Sequence, residues 1–275
     1  MTLIKSNLGL IGAQSSHARF FCEAFNRDKL HPGLSISYIH GADDPQAAGS
    51  LRQEFGLELC DTEEELIAKS DAVAIVLRRG SAHFSPAMKV LEAKKPLYID
   101  KPFTLSVEEA NAIAETAKAN KILLAGGSSL KALQGLKPVA QAILPGSTVI
   151  VSYAADRKSE YDGYWFYGIH AVETLLALCG PGFTSVSAFR NGESVEAIVA
   201  YPDKCSVIMT SPDMADLRVT VLNDKTQSFN VPMDYHHVCP NEFAEMLKSG
   251  KAPRDYSFYV KSVELLKAIA DAAEL

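Results

Sequence analysis

Through residues 8–125, six short apolar runs alternate with stretches of helical character. The runs fall at 8–12, 34–39, 57–60, 72–77, 97–99 and 122–125. Strands separated by helices at this spacing imply a doubly wound parallel sheet with right-handed crossovers. Ala72-Val73-Ala74-Ile75-Val76-Leu77 has no polar alternation, as expected of a strand buried on both faces. Thr62 with Glu65, and Ser106 with Glu109, have the spacing of capping boxes at the starts of two intervening helices. In such sheets, ligands sit beyond the carboxyl ends of the strands.

The pattern changes after Gly126-Gly127-Ser128-Ser129, which reads as a hinge. A helix over about 130–144 is stopped by Pro145-Gly146. Six strand-like segments follow, at 147–155, 183–190, 194–201, 205–211, 217–222 and 227–231, several separated by turn signals. Helices over about 241–248 and 257–273 finish the chain. Successive strands without intervening helices imply a mostly antiparallel sheet in an α+β domain. The expected division is therefore 1–127, a Rossmann-type domain, and 128–275, an α+β domain for substrate and self-association.

A chain of 275 residues with 47% hydrophobic content can build two such cores. The formal charge of −6 argues against nucleic acid or an anionic membrane as partner. No apolar run is long enough to span a bilayer, and Met1-Thr2-Leu3-Ile4-Lys5 lacks an export signal. The five cysteines are an odd number with no Cys-x-x-Cys, which suits reduced thiols in a cytoplasmic protein.

The chemistry-bearing residues cluster at strand ends. The strand–turn–helix around Gly12 is that of a dinucleotide fold, with Ser15, Ser16 and His17 at the helix start. The glycine fingerprint is broken, because Gln14 and His17 stand at its second and third glycine positions. After the second strand come Asp43 and Asp44. Asp43 either reaches the ribose of a cofactor or joins Asp44 in capping the next helix. No Arg directly follows that strand, so nothing there favours a 2′-phosphate, and NAD is preferred to NADP. Arg78 and Arg79 follow the central apolar run and could bind a carboxylate or phosphate of cofactor or substrate, or pair with surface acids. Leu97-Tyr98-Ile99-Asp100-Lys101-Pro102 delivers an acid and a lysine at a strand end that Pro102 terminates. It reads as a rigid mount for the Lys101 amine or as an ordinary solvated connection. His236, His237 and Cys239 lack metal-site spacing and read as structural, so no metal is expected.

Asp100-Lys101-Pro102, about ninety residues after the Gly12 turn, resembles the Glu-Lys-Pro motif of the glucose–fructose oxidoreductase/inositol dehydrogenase (Gfo/Idh/MocA) family. Gly168-x-His170 with Glu173 resembles the family's Gly-x-His-x-x-Asp helix. The resemblance implies a two-domain NAD(P)-dependent oxidoreductase of a sugar, polyol or related hydroxy compound. It places Lys101 and His170 at the reaction and His83 and Asp100 near the cofactor. It also implies a homodimer or homotetramer joined through the outer face of the second sheet.

The sequence departs from the family at Phe166, where many members carry an Asp one helical turn before the histidine. Tyr167 is the candidate substitute. Asp162, Tyr164 and Trp165 lie among aromatics suited to a sugar or cyclitol ring, or to filling an interface. The departures leave two alternatives: a nucleotide- or sugar-binding regulatory protein on the same fold, and a non-redox enzyme using bound NAD.

Overall fold

The computed structural model describes residues 6–275. The amino-terminal stretch read for an export signal lies outside them. The first sheet contains β1 (Ser6–Ile11), β2 (Leu34–His40), β3 (Glu58–Leu59), β4 (Ala72–Ile75), β5 (Leu97–Ile99) and β6 (Leu124–Gly126). Its strands are all parallel and run in the order β3-β2-β1-β4-β5-β6, the doubly wound arrangement with a switch point between β1 and β4. Its helices are α1 (Ser16–Cys22), α2 (Pro45–Phe55), α3 (Glu63–Lys69), α4 (Phe84–Glu92) and α5 (Val107–Ala119). The box at α3 forms: Thr62 accepts the Glu65 N–H, and Glu65 accepts the Asp61 N–H.

In the second half, α6 (Leu136–Ala142), β7 (Thr148–Ala154) and α7 (Trp165–Cys179) precede β8 (Ser185–Asn191), β9 (Ser194–Ala200) and β10 (Cys205–Ser211). β11 (Arg218–Leu222), β12 (Thr226–Asn230), α8 (Val238–Ser249) and α9 (Ser257–Ala272) complete the chain. The second sheet is ordered β12-β11-β7-β10-β9-β8. Its pairs are antiparallel except β7 with β10, so it is mixed rather than uniform.

Two boundaries differ from the sequence reading. The helix expected over 130–144 is a three-ten turn, Ser129–Ala132, followed by the short α6. Pro138 explains this, since a proline is tolerated only in a helix's first turn, where its missing N–H is not needed. The same rule places Pro240 in the first turn of α8, which begins at Val238 rather than near 241.

The chain divides into two compact units. The first holds the described residues to Thr104, Glu108–Gly127 and His236–Tyr259. The second holds Leu105–Val107, Ser128–Tyr235 and Val260–Leu275. The sequence reading assigns α8 to the second domain, but its buried Cys239, Phe243, Ala244 and Met246 belong to the core of the first. Phe243 lies 5.8 Å from Tyr98 and 6.2 Å from Phe21, ring to ring. His31 adds a polar tie, with Nε2 2.7 Å from Asn241 Oδ1 and Nδ1 accepting Lys248 Nζ at 2.8 Å.

In the second unit the strands obey a period of two. Val149, Val151 and Tyr153 of β7 and Val195, Ala197 and Val199 of β9 are buried on one face. On the other, Ile150, Val207 and Ile198 form a cross-strand row, with Ile198 45% exposed. Among the described residues, no helix is long and apolar enough to cross a membrane, and all five cysteines are free thiols.

Candidate functional site

The first unit builds its site around the corner after β5. The Asp100 N–H donates to the Ile75 carbonyl at 2.9 Å, which fixes the strand end beside β4. Asp100 is buried, and its two carboxylate oxygens lie 2.9 and 2.8 Å from His17 Nδ1. Burial alone would raise this carboxyl, but the charges and hydrogen bonds of His17 and Lys101 outweigh it and hold Asp100 below the usual carboxylate range. On the other side of Lys101, His83 Nδ1 lies 2.8 Å from the Pro102 carbonyl and His83 Nε2 lies 2.9 Å from the Leu77 carbonyl. The Lys101–Pro102 peptide is cis, and Lys101 itself is buried.

His17 starts α1 and His83 precedes α4, the helices that follow the two strands flanking the switch point. Both were expected to touch cofactor. In the structure both ring nitrogens of His83 lie against backbone carbonyls, one of which a neutral imidazole can bond, and Nδ1 of His17 lies against Asp100, so the two imidazoles brace the Lys101 corner. The side chain at the third fingerprint position thus has a use that glycine could not supply.

The glycine turn keeps its first requirement. Gly12 has φ +106°, and a Cβ there would sit 2.7 Å from the Leu77 backbone nitrogen. Asp43 reaches back to this turn, where its carboxylate accepts the Ala13 and Gln14 N–H groups at 3.0 Å. Asp44 alone caps α2, accepting the Ala47 N–H at 2.9 Å. Asp43 therefore does not share the capping of α2, one of the two roles the sequence reading left open. A cleft of about 350 Å³ opens beside the turn, lined by residues that include Ser15, Ser16, Arg19, Ser50 and Arg78. Ser15 also caps α1 by accepting the His17 N–H. Arg79 is exposed.

These residues fit a dinucleotide. A close-passing turn, an acid held at its edge, and hydroxyls and guanidinium groups lining the adjoining cleft match a ribose and a pyrophosphate in turn.

The second unit builds its site around His170, which lies in the second turn of α7 rather than at its start. The Tyr153 ring of β7 meets the imidazole edge-on at 5.6 Å, and Tyr167 lies at 5.5 Å. Tyr167 is 39% exposed. The Tyr153 hydroxyl is pushed up to about 12, by burial first and then by Tyr167 and Tyr235 nearby. Phe166 is buried, with its ring against Tyr161 and Tyr167.

Tyr164, expected to meet substrate, is a core residue. It is 3% exposed, its hydroxyl lies 3.1 Å from Thr210 Oγ1, and burial pushes it up to about 12. Its ring also explains Gly168, where a Cβ would come within 2.8 Å of it. Trp165 is half-buried at the first position of α7, after Asp162 in a left-handed turn at φ +64°. Sequence reasoning missed Tyr153 and Ser128, whose hydroxyl lies 2.7 Å from His170 Nδ1. Strand alternation marks Tyr153 only as an inward residue, and nothing local marks Ser128. The His236 ring lies tilted against Phe20, centroids 4.5 Å apart.

Residues 6–127 match the oxidoreductase family model named GFO_IDH_MocA and described as an NAD-binding Rossmann fold. A UDP-N-acetylglucosamine 3-dehydrogenase of Acidithiobacillus ferrooxidans is 35% identical over 95 residues, 34% of this chain and 30% of that protein. An uncharacterized oxidoreductase of Streptococcus pneumoniae is 18% identical over 207 residues, 69% of this chain and 55% of that protein. The matches thus span about half or less of these curated relatives.

Similarity of fold extends further. The A. ferrooxidans enzyme superposes with a TM-score of 0.81 at 18% identity, over 98% of each chain. The apo scyllo-inositol dehydrogenase of Lactobacillus casei superposes with a TM-score of 0.85 at 11% identity, over 100% of this chain and 97% of that one. The family match is therefore one of residues 6–127, to the NAD-binding Rossmann domain of the Gfo/Idh/MocA oxidoreductases, and over the rest of the chain the similarity is one of fold.

Proposed function

We propose that the protein is an NAD(P)-dependent oxidoreductase acting on a hydroxyl group of a sugar, polyol or related compound, with NAD preferred. The observation that carries this reading is the bracing of Lys101. A strand end, the His17–Asp100 pair and the contact of His83 with the Pro102 carbonyl fix the backbone corner that carries Lys101. Bound nicotinamide would supply the hydride acceptor. Gly12, Ser15, Ser16, Asp43 and Arg78 are assigned to the cofactor, within a cofactor domain of residues 1–127.

Residues 128–275, apart from the α8 segment that joins the first unit, are assigned to substrate binding and self-association, with Asp162 and Trp165 as substrate contacts alongside Arg79 of the first unit. Lys101 orients the substrate hydroxyl and stabilises its developing negative charge; His170 and Tyr167 are assigned to its proton. Asp43 supports the NAD preference, because a carboxylate at the turn repels a 2′-phosphate.

Calorimetric titration of cofactor-stripped protein with NAD, NADH, NADP and NADPH tests the cofactor claim, and a sugar and polyol screen at the reduced-nicotinamide absorbance follows. Lys101→Ala should lower turnover by about 10²-fold or more with the fold intact. Cofactor binding without turnover of any sugar or polyol would instead favour a binding protein, a reading that Phe166 supports. Cofactor that survives purification, with turnover but no net redox change, would mark a non-redox enzyme.

The exposed Phe189 and Ile198, at 52% and 45%, support self-association through the open face of the second sheet. The Phe189→Lys variant should shift a dimer or tetramer toward monomer in light scattering. The five free thiols accord with a reducing, cytoplasmic setting.

A further inference from the structure

Ser128 opens the second unit and is fully buried, yet each of its polar groups is engaged. Its N–H donates to Glu173 Oε2 at 2.8 Å, and its carbonyl accepts Lys131 Nζ at 2.9 Å. Its hydroxyl oxygen accepts the Leu130 N–H at 3.0 Å and lies 2.7 Å from His170 Nδ1. Lys131 Nζ and Glu173 Oε2 are 3.7 Å apart, with both side chains buried. Glu173 sits three residues beyond His170 on α7, so the helix that carries the imidazole also anchors the serine that touches it.

The arrangement constrains the protons. A serine hydroxyl has one proton and two lone pairs. One lone pair takes the Leu130 N–H, and the proton needs an acceptor of its own. His170 Nδ1, 2.7 Å away, is an acceptor within reach and fits that role when the imidazole proton is on Nε2.

We infer that Ser128, clamped by Glu173 and Lys131, is a positioning residue that holds His170 as the Nε2–H tautomer, making it a hydrogen-bond donor to a substrate oxygen. This inference rests on the oxidoreductase reading for its use, but not for its geometry. It divides the labour at the substrate hydroxyl. His170 stabilises oxygen charge by donation, and of the two residues assigned to the hydroxyl proton its removal falls to Tyr167. Phe166, one turn earlier, offers the imidazole no carboxylate. The titratable and charged groups around it include Tyr153 from β7, Tyr167 from α7, and the Glu173–Lys131 pair reached through Ser128.

The test is long-range ¹H–¹⁵N NMR of the cofactor-free, ¹⁵N-histidine-labelled full chain near pH 8, with His170 assigned by its loss in His170→Gln. The expected wild-type spectrum has Nε2 at a protonated shift and Nδ1 at an unprotonated one. Ser128→Ala should move both toward the average of two tautomers, and Ser128→Thr, which keeps the hydroxyl, should restore them. Near-ultraviolet circular dichroism checks the fold, and the wild-type spectrum decides the tautomer even if Ser128→Ala fails to fold. A wild-type Nδ1–H, or a folded Ser128→Ala with both shifts unchanged, overturns the inference.

With a substrate in hand, Ser128→Ala should lower kcat about ten-fold with KM nearly unchanged, and Ser128→Thr should recover it. A fall in KM affinity alone would count against the positioning role. The expected tautomer in a protein that turns over no sugar or polyol would refute the oxidoreductase reading while leaving this one standing.

Discussion

The two units hold their key side chains by different physics. At Lys101 the support is charge: a buried carboxylate lies between His17 and the lysine, and its ionised form survives burial because both neighbours favour it. At His170 the direct support is a neutral hydroxyl, and the charged pair Glu173–Lys131 stands one step back, gripping the serine's backbone. The first arrangement suits a carboxyl that must stay ionised although buried. The second suits a ring whose proton must sit on a chosen nitrogen. Removing a partner should therefore hurt the first far more than the second, since an uncompensated buried charge costs more than a lost neutral hydrogen bond.

The sharpest way to break this contrast is Asp100→Ala. It should cost about 3–5 kcal/mol of stability, read by urea unfolding, because it strips the corner of its buried counter-charge. A loss as small as that of Ser128→Ala, about 1 kcal/mol, would erase the distinction.

His17→Gly comes next, and it restores the fingerprint glycine. We expect a loss of about 1–3 kcal/mol with no gain in NAD affinity by calorimetry. Tighter binding without destabilisation would show that the brace is dispensable.

A smaller effect concerns acid. The depressed Asp100 carboxyl stabilises the fold fully above the unfolded-state value near 4 and loses that contribution as pH falls through its lower folded value. Stability curves of wild type and Asp100→Asn should converge below that window and separate above it.

The smallest effect belongs to the α8 tether. His31 is held below its ordinary value by burial first, with Lys248 adding to it against Asn241 and Glu245. The unfolded chain therefore binds a proton more readily, and stability should decline as pH drops below about 6.5. His31→Gln should flatten that limb of a denaturation series.

Much of the first unit was legible along the chain. The six apolar runs became six parallel strands, and Asp100-Lys101-Pro102 landed at the carboxyl end of β5, as strand length and proline demanded. Gly12 was legible too, because only a residue without Cβ passes that close to Leu77. The fate of the fingerprint's missing glycines was not. His17 looked like a loss until Asp100, 83 positions later, was seen to receive it. Tyr164 looked like a substrate ligand among aromatics, although its hydroxyl had a partner in Thr210 on another strand.

What the sequence determined by itself is what short-range physics controls: the period of apolar residues, the caps, the proline stops and the strand-end lysine. What only the tertiary structure decided is which distant polar atoms meet. Asp43 with the Gly12 turn, His83 with Pro102, Ser128 with His170, and α8 with the first unit's core are all of this kind. A hydrogen bond is settled within a few tenths of an ångström and by direction. Residue order constrains neither for side chains tens of positions apart; only the packed core brings them into register.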